Sequence, residues 1–187
     1  RGGVMQNIGV VGAGVMGRTV AQKLIEKNKS VVVYDTYEPS REHAKEIGAN
    51  IADNVFEVGK QSDLVLLFLP GPGEVRSCVV GENGLLSAGG SEMILVDMST
   101  VDPETSRDNA EAARLKGVGY LDAPVLGRPS TVGKWALPVG GDRSVLAKCE
   151  NILKLFAAHV NYIGESGSGN IVKLLNQMMF GAINAMT

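Results

Sequence analysis

The chain has 187 residues, of which 44% are hydrophobic and 20% are charged, and its formal net charge is −2. This composition suits one compact domain with a sizeable core and an appendage. The small net charge gives no basis for a nucleic-acid or membrane partner, and the longest strongly apolar stretch, residues 64–70, is too short to span a bilayer. We expect no secretory signal ahead of the first strand, because residues 4–11 are typical of a strand and carry no cleavage-site pattern. Cys78 and Cys149 are far apart in sequence and suggest neither a disulfide framework nor a zinc site. We expect buried thiols in a cytoplasmic protein.

Short β-rich runs alternate with helical patterns through the first two thirds of the chain. In chain order they are a strand at 8–11, a helix at 15–27, a strand at 31–34, a helix at 39–47, strands at 64–69 and 93–97, a helix at 103–116 and a strand at 118–122. The strand at 64–69 is apolar on both faces, as expected in a parallel sheet covered by helices on each side. Asp102 is a candidate cap for the helix that follows it. The alternation predicts a doubly wound, mostly parallel α/β sheet.

The pattern changes after residue 122. Residues 123–141 are rich in glycine and proline, which predicts loops with a few short strands. A helix is predicted at 144–156 and a last short strand at 159–163. From Gly169 onward the residues predict a helix so rich in apolar side chains that it needs a partner. We therefore expect the chain to be a fragment, or its missing continuation to form a second domain.

A glycine-rich loop follows the first predicted strand and opens the first helix. Its first glycine permits a tight turn, its second lets the backbone approach a pyrophosphate, and its third lets the helix pack close to the strand. The helix N-terminus adds free N–H donors and the positive end of the helix dipole. The loop predicts a dinucleotide-binding Rossmann domain over residues 1–165. The predicted contacts are Gly12, Ala13, Gly14, Val15, Met16 and Gly17.

Asp35 ends the second predicted strand, about 20 residues after the loop, as the fingerprint requires. Its carboxylate can accept hydrogen bonds from the adenosine ribose and repels a 2′-phosphate, which favours NAD over NADP. Arg41 is the counter-argument, because its guanidinium could reach a phosphate. The structural alternatives are a tight turn without a ligand and, for Asp35, a helix cap or a solvated turn residue.

Further segments occur in order along nearly the whole chain. They are the glycine loop with Met16, Leu69-Pro70, Asp97-Met98-Ser99-Thr100, Asp122-Ala123-Pro124-Val125, Gly140-Gly141 and Gly167-x-Gly169-x-x-x-Lys173-x-x-Asn176. Together they resemble the 3-hydroxyisobutyrate dehydrogenase family, also called the β-hydroxyacid dehydrogenases. The resemblance implies hydride transfer between a nicotinamide cofactor and a 3-hydroxy acid, or the matching semialdehyde or keto acid. It also implies that residues 166–187 begin a long interdomain helix, which leads to a helical C-terminal domain absent from this chain. Through that domain the full-length protein is expected to form a homo-oligomer.

The resemblance implies that Lys173 is the catalytic lysine. Such a group takes the hydroxyl proton as hydride leaves and returns it in reduction. A partly buried lysine suits this role because desolvation lowers its pKa toward working pH. Asn176 and Gln177 follow on the same helical face, where they could orient the lysine or the substrate. An ordinary solvated lysine is the alternative at this position.

The resemblance also implies cofactor contacts beyond the glycine loop. Leu69 and Pro70 fall where family members line the cofactor. Ser99 and Thr100 fall at the end of a strand, where ligands of open α/β sheets gather. For Ser99 and Thr100 the alternative is capping of a turn or helix ahead of Pro103.

One loop departs from the family pattern. Where the family carries a serine and two glycines that hold the substrate carboxylate, this sequence has Leu126-Gly127-Arg128. We expect these residues to bind substrate, either through backbone N–H groups or through Arg128 as a fork for a carboxylate. Arg128 could equally be a surface arginine. Trp135 could line the substrate pocket, although core filling is favoured, and Gln177 stands where the family has asparagine. These changes leave substrate identity open.

Three other functions compete with a β-hydroxyacid dehydrogenase. Imine reductases are related enzymes that usually lack the lysine, so Lys173 counts against them. The 6-phosphogluconate dehydrogenases typically have His-Asn after the lysine, where this chain has Asn176-Gln177, and no cluster of basic residues for a sugar phosphate is evident. A non-catalytic cofactor-binding module is also conceivable, because Leu126 cannot donate a hydrogen bond from its side chain. We expect this chain alone to bind cofactor with little or no activity.

Overall fold

A computed structural model describes residues 5–88, 90 and 92–186, without the side chains of residues 185 and 186. The ends of the two predicted domains, residues 1 and 187, lie outside this range. Eight strands form one sheet: β1 (Asn7–Val11), β2 (Ser30–Tyr34), β3 (Asn50–Ile51), β4 (Leu64–Leu67), β5 (Ile94–Asp97), β6 (Gly119–Asp122), β7 (Trp135–Gly141) and β8 (Ala157–Gly164). The helices described are α1 (Val15–Glu26), α2 (Glu38–Glu46), α3 (Val55–Gln61), α4 (Pro72–Val80), α5 (Leu85–Ala88), α6 (Pro103–Leu115), α7 (Arg143–Leu153) and α8 (Ser168–Met186).

The sheet has the order β3-β2-β1-β4-β5-β6-β7-β8, and its first six strands are parallel. The chain leaves β1 in one direction along the sheet and returns to β4 on its other side. This switch point opens a crevice at the carboxyl ends of the strands, where open α/β sheets bind ligands. The prediction of a doubly wound, mostly parallel sheet is therefore confirmed.

The strand β7 reverses the direction of the sheet. It is antiparallel to β6 and pairs with it only through Leu121–Gly141 and Asp122–Gly140, whereas β8 is parallel to β7 over most of its length. Because only the end of β7 meets β6, the rest of β7 extends beyond the carboxyl edge of β6. The strand pair and the helix α8, which packs along β7, thus form a wall beside the crevice.

Apolar layers cover both faces of the sheet, because successive side chains of its central strands point to opposite faces and are completely buried. On one face Ile8, Val10 and Leu66 pack against residues of α1, α2 and α7. On the other face Val65 and Leu67 pack against residues of α3, α4, α5 and α6. This two-sided cover is why the strand β4 reads as a continuous apolar run.

Several elements differ from the predictions. A seven-residue strand, β7, occupies part of the stretch predicted as loops with a few short strands. Pro138 is tolerated there because β6 does not pair with this part of β7, so no ladder bond from its nitrogen is needed. The helices α3, α4 and α5 and the short β3 were not predicted from the sequence. The start of α4 reads as a turn because it is Gly-Pro-Gly, although proline suits the first turn of a helix.

The remaining predictions for this region have mixed outcomes. Asp102 caps α6, as predicted, by accepting a 2.8 Å hydrogen bond from the Thr105 N–H. Cys149 is buried, as predicted, but Cys78 is partly exposed because it faces a cavity beside α4. Burial raises the pKa of both thiols, to about 11 for Cys78 and about 12 for Cys149. No helix among the described residues is long and apolar enough to cross a membrane.

Candidate functional site

A cavity of about 600 Å³ lies at the carboxyl edge of the sheet, over the switch point between β1 and β4. It brings together most of the residues expected from the sequence. Those residues are Gly14, Val15, Met16, Gly17, Asp35, Leu69, Pro70, Ser99, Thr100, Gly127 and Lys173. Phe68, Met98 and Val125 also line the cavity and were not expected. Gly12 and Ala13, the first two residues of the glycine loop, do not line this cavity, and neither do Leu126, Arg128, Asn176 and Gln177.

The glycine loop is held by contacts that only glycine permits. A side chain at Gly12, where φ is +90°, would place its Cβ 2.2 Å from the Phe68 carbonyl oxygen, and a Cβ at Gly17 would lie 1.9 Å from the Gly12 oxygen. Gly14 differs, because a Cβ there meets nothing within 4 Å. Gly14 is the N-cap of α1 and offers no side-chain cap, so N–H groups of the first turn are left for a ligand. The loop therefore has the form of an anion-binding helix N-terminus.

Asp35 is fixed against the glycine loop. Its Oδ2 accepts a 2.6 Å hydrogen bond from the Ala13 N–H, and its Oδ1 accepts one of 2.8 Å from the Tyr37 N–H. The carboxylate lines both the central cavity and a second cavity of about 820 Å³ between β2 and α4. Each carboxylate oxygen has a further lone pair. Asp35 can thus accept hydrogen bonds from a ligand that bridges the two cavities.

A buried carboxylate, Asp97, organises the floor of the central cavity. Its Oδ1 accepts a 2.9 Å hydrogen bond from the Ser99 N–H, and its Oδ2 accepts one of 3.1 Å from the Tyr120 hydroxyl. The Ser99 Oγ in turn accepts a 2.9 Å hydrogen bond from the Leu69 N–H. Burial raises the Asp97 pKa to about 6, although the bonds from Ser99 and Tyr120 lower it. Asp97 therefore fixes the ends of both β4 and β5 at the cavity.

A second buried carboxylate, Asp122, fixes the start of α8. Its two oxygens accept hydrogen bonds from the N–H groups of Gly167, at 2.7 Å, and Asn170, at 3.0 Å. Burial raises the pKa of Asp122, and the hydrogen bonds from Gly167 and Asn170 oppose that rise. The buried Asn170 side chain accepts from the Val101 N–H at 3.1 Å and donates to the Ser106 Oγ at 3.1 Å. The first turn of α8 is thereby tied to β6, α6 and the chain after β5.

Lys173 lies one helical turn beyond this anchor. Its Nζ donates a 2.7 Å hydrogen bond to the Val125 carbonyl oxygen, three residues after Asp122. The side chain is half-buried, and burial lowers the pKa of its ammonium group. Because an ammonium group has three N–H donors, donors remain for a ligand in the cavity. The site thus combines a loop that has the form of an anion-binding helix N-terminus with an amine whose pKa is lowered by burial.

The loop at Leu126-Gly127-Arg128 differs from the expectation. The Leu126 N–H donates a 2.9 Å hydrogen bond to the Ala136 carbonyl oxygen, and the Arg128 N–H donates one of 3.2 Å to the Thr131 Oγ1. Gly127 is the residue of this loop that lines the cavity, and nothing in the described part of the chain accepts its N–H. Arg128 is exposed and lies outside the cavity, and Gln177 is exposed as well.

Trp135 belongs to the core, and the prediction that it fills the core is confirmed. Its side chain is completely buried, and its ring packs edge-on against Phe156 at a centroid distance of 6.3 Å. The indole N–H donates a 2.7 Å hydrogen bond to the Arg128 carbonyl oxygen. The indole also sets the course of the loop, since a Cβ at Gly127 would lie 2.2 Å from the Trp135 Cδ1.

Asp97, Asp122 and Asn170 were not among the functional residues predicted from the sequence. Both carboxylates stand at the last position of a buried strand and are aligned with each other across β5 and β6. An acidic residue that directly ends an apolar strand, as in Ile-Leu-Val-Asp, is the signal that could have identified them. The importance of Asn170 depends on its contacts with distant parts of the chain.

Comparison with known proteins gives concordant matches. Residues 7–164 match the NAD-binding domain family of 6-phosphogluconate dehydrogenase. The 2-(hydroxymethyl)glutarate dehydrogenase of Eubacterium barkeri is 31% identical over 93% of this chain and 58% of its own length. The 3-hydroxyisobutyrate dehydrogenase of Pseudomonas aeruginosa is 32% identical over 98% of this chain and 62% of its own.

A solved structure of 3-hydroxyisobutyrate dehydrogenase from Mycobacterium tuberculosis with L-serine superposes with a TM-score of 0.90 and 27% identity. The match covers 95% of this chain and 60% of that one. The chain thus spans about six tenths of the length of the relatives that it matches.

Proposed function

We propose that this chain, which belongs to the family of the NAD-binding domain of 6-phosphogluconate dehydrogenase, carries the cofactor site and the catalytic lysine of an NAD-dependent β-hydroxyacid dehydrogenase. Its substrate is a 3-hydroxy acid of the 3-hydroxyisobutyrate type, or the corresponding semialdehyde or keto acid. One observation carries the proposal: the cavity that is bordered by the glycine loop also contains the Lys173 amine. The proposed cofactor-binding loop and the proposed proton-transfer group therefore border the same cavity.

The cofactor site fits a dinucleotide. The open space at Gly14 lets the backbone approach a pyrophosphate, and the uncapped first turn of α1 supplies N–H donors to it. Asp35 would hold the adenosine ribose hydroxyls, which favours NAD. Gly12, Ala13 and Gly17 would shape the loop. The remaining contacts would come from Val15, Met16, Leu69, Pro70, Ser99 and Thr100.

When bound, the nicotinamide supplies the hydride acceptor or donor, and the chain supplies proton transfer and orientation. Lys173 would receive the hydroxyl proton of the substrate as the alcohol is oxidised, and it would return that proton in reduction. Burial lowers the Lys173 pKa, which makes a neutral amine more accessible near neutral pH. The hydrogen bond to the Val125 oxygen keeps the amine in the cavity.

The substrate carboxylate is assigned to the loop after Val125. Gly127 supports this assignment because it lines the cavity, and among the described residues none accepts a hydrogen bond from its N–H. Substrate contacts of Leu126, Arg128, Asn176 and Gln177 stay predictions, since these residues lie outside the cavity. An approach of Arg128 would require its side chain to turn inward from its exposed position.

We also propose that residues 166–187 begin an interdomain helix. Leu175, Met178, Met179 and Phe180 on α8 are each more than half exposed, and apolar surface of this extent is characteristic of an interaction face. The matched relatives are longer than this chain. A helical domain packed on this face, with homo-oligomer formation through that domain, would complete the enzyme and close the cavity.

The experiment mixes the full-length protein with NAD and a panel of 3-hydroxy acids and follows the absorbance of the reduced nicotinamide. Lys173→Ala should reduce kcat by about 10² to 10⁴ and leave NADH binding intact. Lys154→Ala, which removes an exposed lysine at the C-cap of α7 that pairs with Glu150, is the matched control. Near-normal turnover of Lys173→Ala would refute the role of the lysine. NADH binding without turnover on any acid would instead indicate a non-catalytic binding module.

A further inference from the structure

The cavity beside Asp35 is acidic. Asp35, Glu74 and Glu82 are among its lining residues, and the described residues that line it include no lysine or arginine. Thr36 connects it to a smaller cavity of about 370 Å³, in which Arg41 lies near Asp53. Arg41 is thus the cation in the best position to meet an additional phosphate on a ribose held by Asp35.

Arg41 is, however, already engaged. Its Nη1 donates a 2.7 Å hydrogen bond to the Asp35 carbonyl oxygen, and its Nη2 forms an ion pair with the Glu38 carboxylate. Glu38 and Arg41 are three residues apart on α2, so the helix itself brings them together. The Arg41 side chain is about three-quarters covered, whereas that of Glu38 is 65% exposed. The guanidinium is therefore neutralised and held in place by a residue with few other contacts.

We propose that Glu38 is a specificity-determining residue, which retains Arg41 and thereby prevents it from binding a 2′-phosphate. The inference rests on the proposed function, because it assumes that Asp35 holds the adenosine ribose. A 2′-phosphate at that ribose would meet the Asp35 carboxylate, and the cation that could compensate is paired with another carboxylate. Selection against NADP then depends on two acidic residues that act differently, Asp35 by repulsion and Glu38 by withholding the counter-charge.

The test measures the dissociation constants of NADH and NADPH for this chain by isothermal titration calorimetry. Glu38→Ala should tighten NADPH binding roughly fivefold, the weight of one partly exposed ion pair, and change NADH binding by less than about twofold. Glu42→Ala is the matched control, because it removes the same charge from an exposed position on α2 that does not pair with Arg41. It should leave the ratio of the two constants unchanged.

A double variant isolates the arginine. Adding Arg41→Ala to Glu38→Ala should abolish the gain in NADPH affinity. The inference is overturned if Glu38→Ala leaves NADPH binding unchanged, if Glu42→Ala gives an equal gain, or if the gain persists without Arg41. Absence of binding of either dinucleotide to the unsubstituted chain would refute the proposed function itself, and the inference with it. NADH binding with an unaltered NADPH constant refutes the inference alone.

Discussion

The carboxyl group of Asp97 should make the stability of this chain depend on pH in a specific way. Asp97 is completely buried at the end of β5, and its partners are the Ser99 N–H and the Tyr120 hydroxyl. Burial raises its pKa from 3.8 to about 6. Asp97→Asn keeps the size of the side chain and one carbonyl oxygen as an acceptor for the Ser99 N–H, but it removes the ionisation.

The magnitude follows from the two pKa values. One pKa unit corresponds to about 1.4 kcal/mol, so ionising Asp97 in the folded chain costs about 3 kcal/mol. Between 3.8 and about 6 the folded state holds a proton that the unfolded chain has already lost. The free energy of unfolding therefore falls as pH rises through this window. Above the window the full cost persists, and below it the cost disappears. Because asparagine does not ionise, the Asp97→Asn variant lacks this contribution to the fall in the free energy of unfolding.

Urea unfolding followed by circular dichroism measures this directly, at about pH 4 and about pH 7.5. The stability of Asp97→Asn relative to the unsubstituted chain should improve by about 2 to 3 kcal/mol between the lower and the higher pH. Asp53→Asn changes an exposed carboxylate and should follow the unsubstituted chain. A difference between Asp97→Asn and the unsubstituted chain that does not vary with pH would refute the reasoning.

Substitutions at four other positions have distinct expected outcomes. Gly14→Ala should weaken NADH binding at least tenfold and leave the free energy of unfolding within about 0.5 kcal/mol, because its Cβ meets nothing in the chain. Gly17→Ala should weaken NADH binding and also lower the free energy of unfolding. Equal effects of the two variants on stability would contradict this. Trp135→Phe removes a buried N–H donor and part of a packed ring, so urea unfolding should show a loss of about 2 kcal/mol; an unchanged midpoint would count against it. Asp102→Ala removes the cap of α6 and should cost about 1 kcal/mol in the same assay, whereas Asp102→Asn should cost less.

The local pattern of the sequence sufficed for the parallel part of the fold. The strand β4 is recognisable because helices cover both of its faces and leave only apolar residues in it. The glycine loop is recognisable because Gly12 and Gly17 each meet a carbonyl oxygen that excludes a side chain. Requirements of this kind lie within a few residues or a single strand, and they are therefore visible in the sequence.

The remaining features depend on contacts between distant segments. Pro138 argues against a strand unless it is known that β6 pairs only with the end of β7. The exposure of Arg128 follows from the bridge between Leu126 and Ala136, which turns the loop. The buried roles of Asp97 and Asp122 require the register that aligns them across β5 and β6. An acidic residue at the end of an apolar strand marks both positions locally, but that pattern does not contain their partners in distant segments, such as Tyr120 and Gly167.

The anchor of α8 has a consequence for the order in which the chain folds. Asp122 bonds to N–H groups 45 and 48 residues later, and the Asn170 side chain bonds to groups 69 and 64 residues earlier. Contacts between such distant residues require the closure of long loops, so we expect them to form after the local helices. We expect the Lys173 amine to reach the Val125 oxygen only when β5 and β6 are already paired. The position of the Lys173 amine therefore depends on pairings within the sheet that lie far from it in sequence, and not on the helix α8 alone.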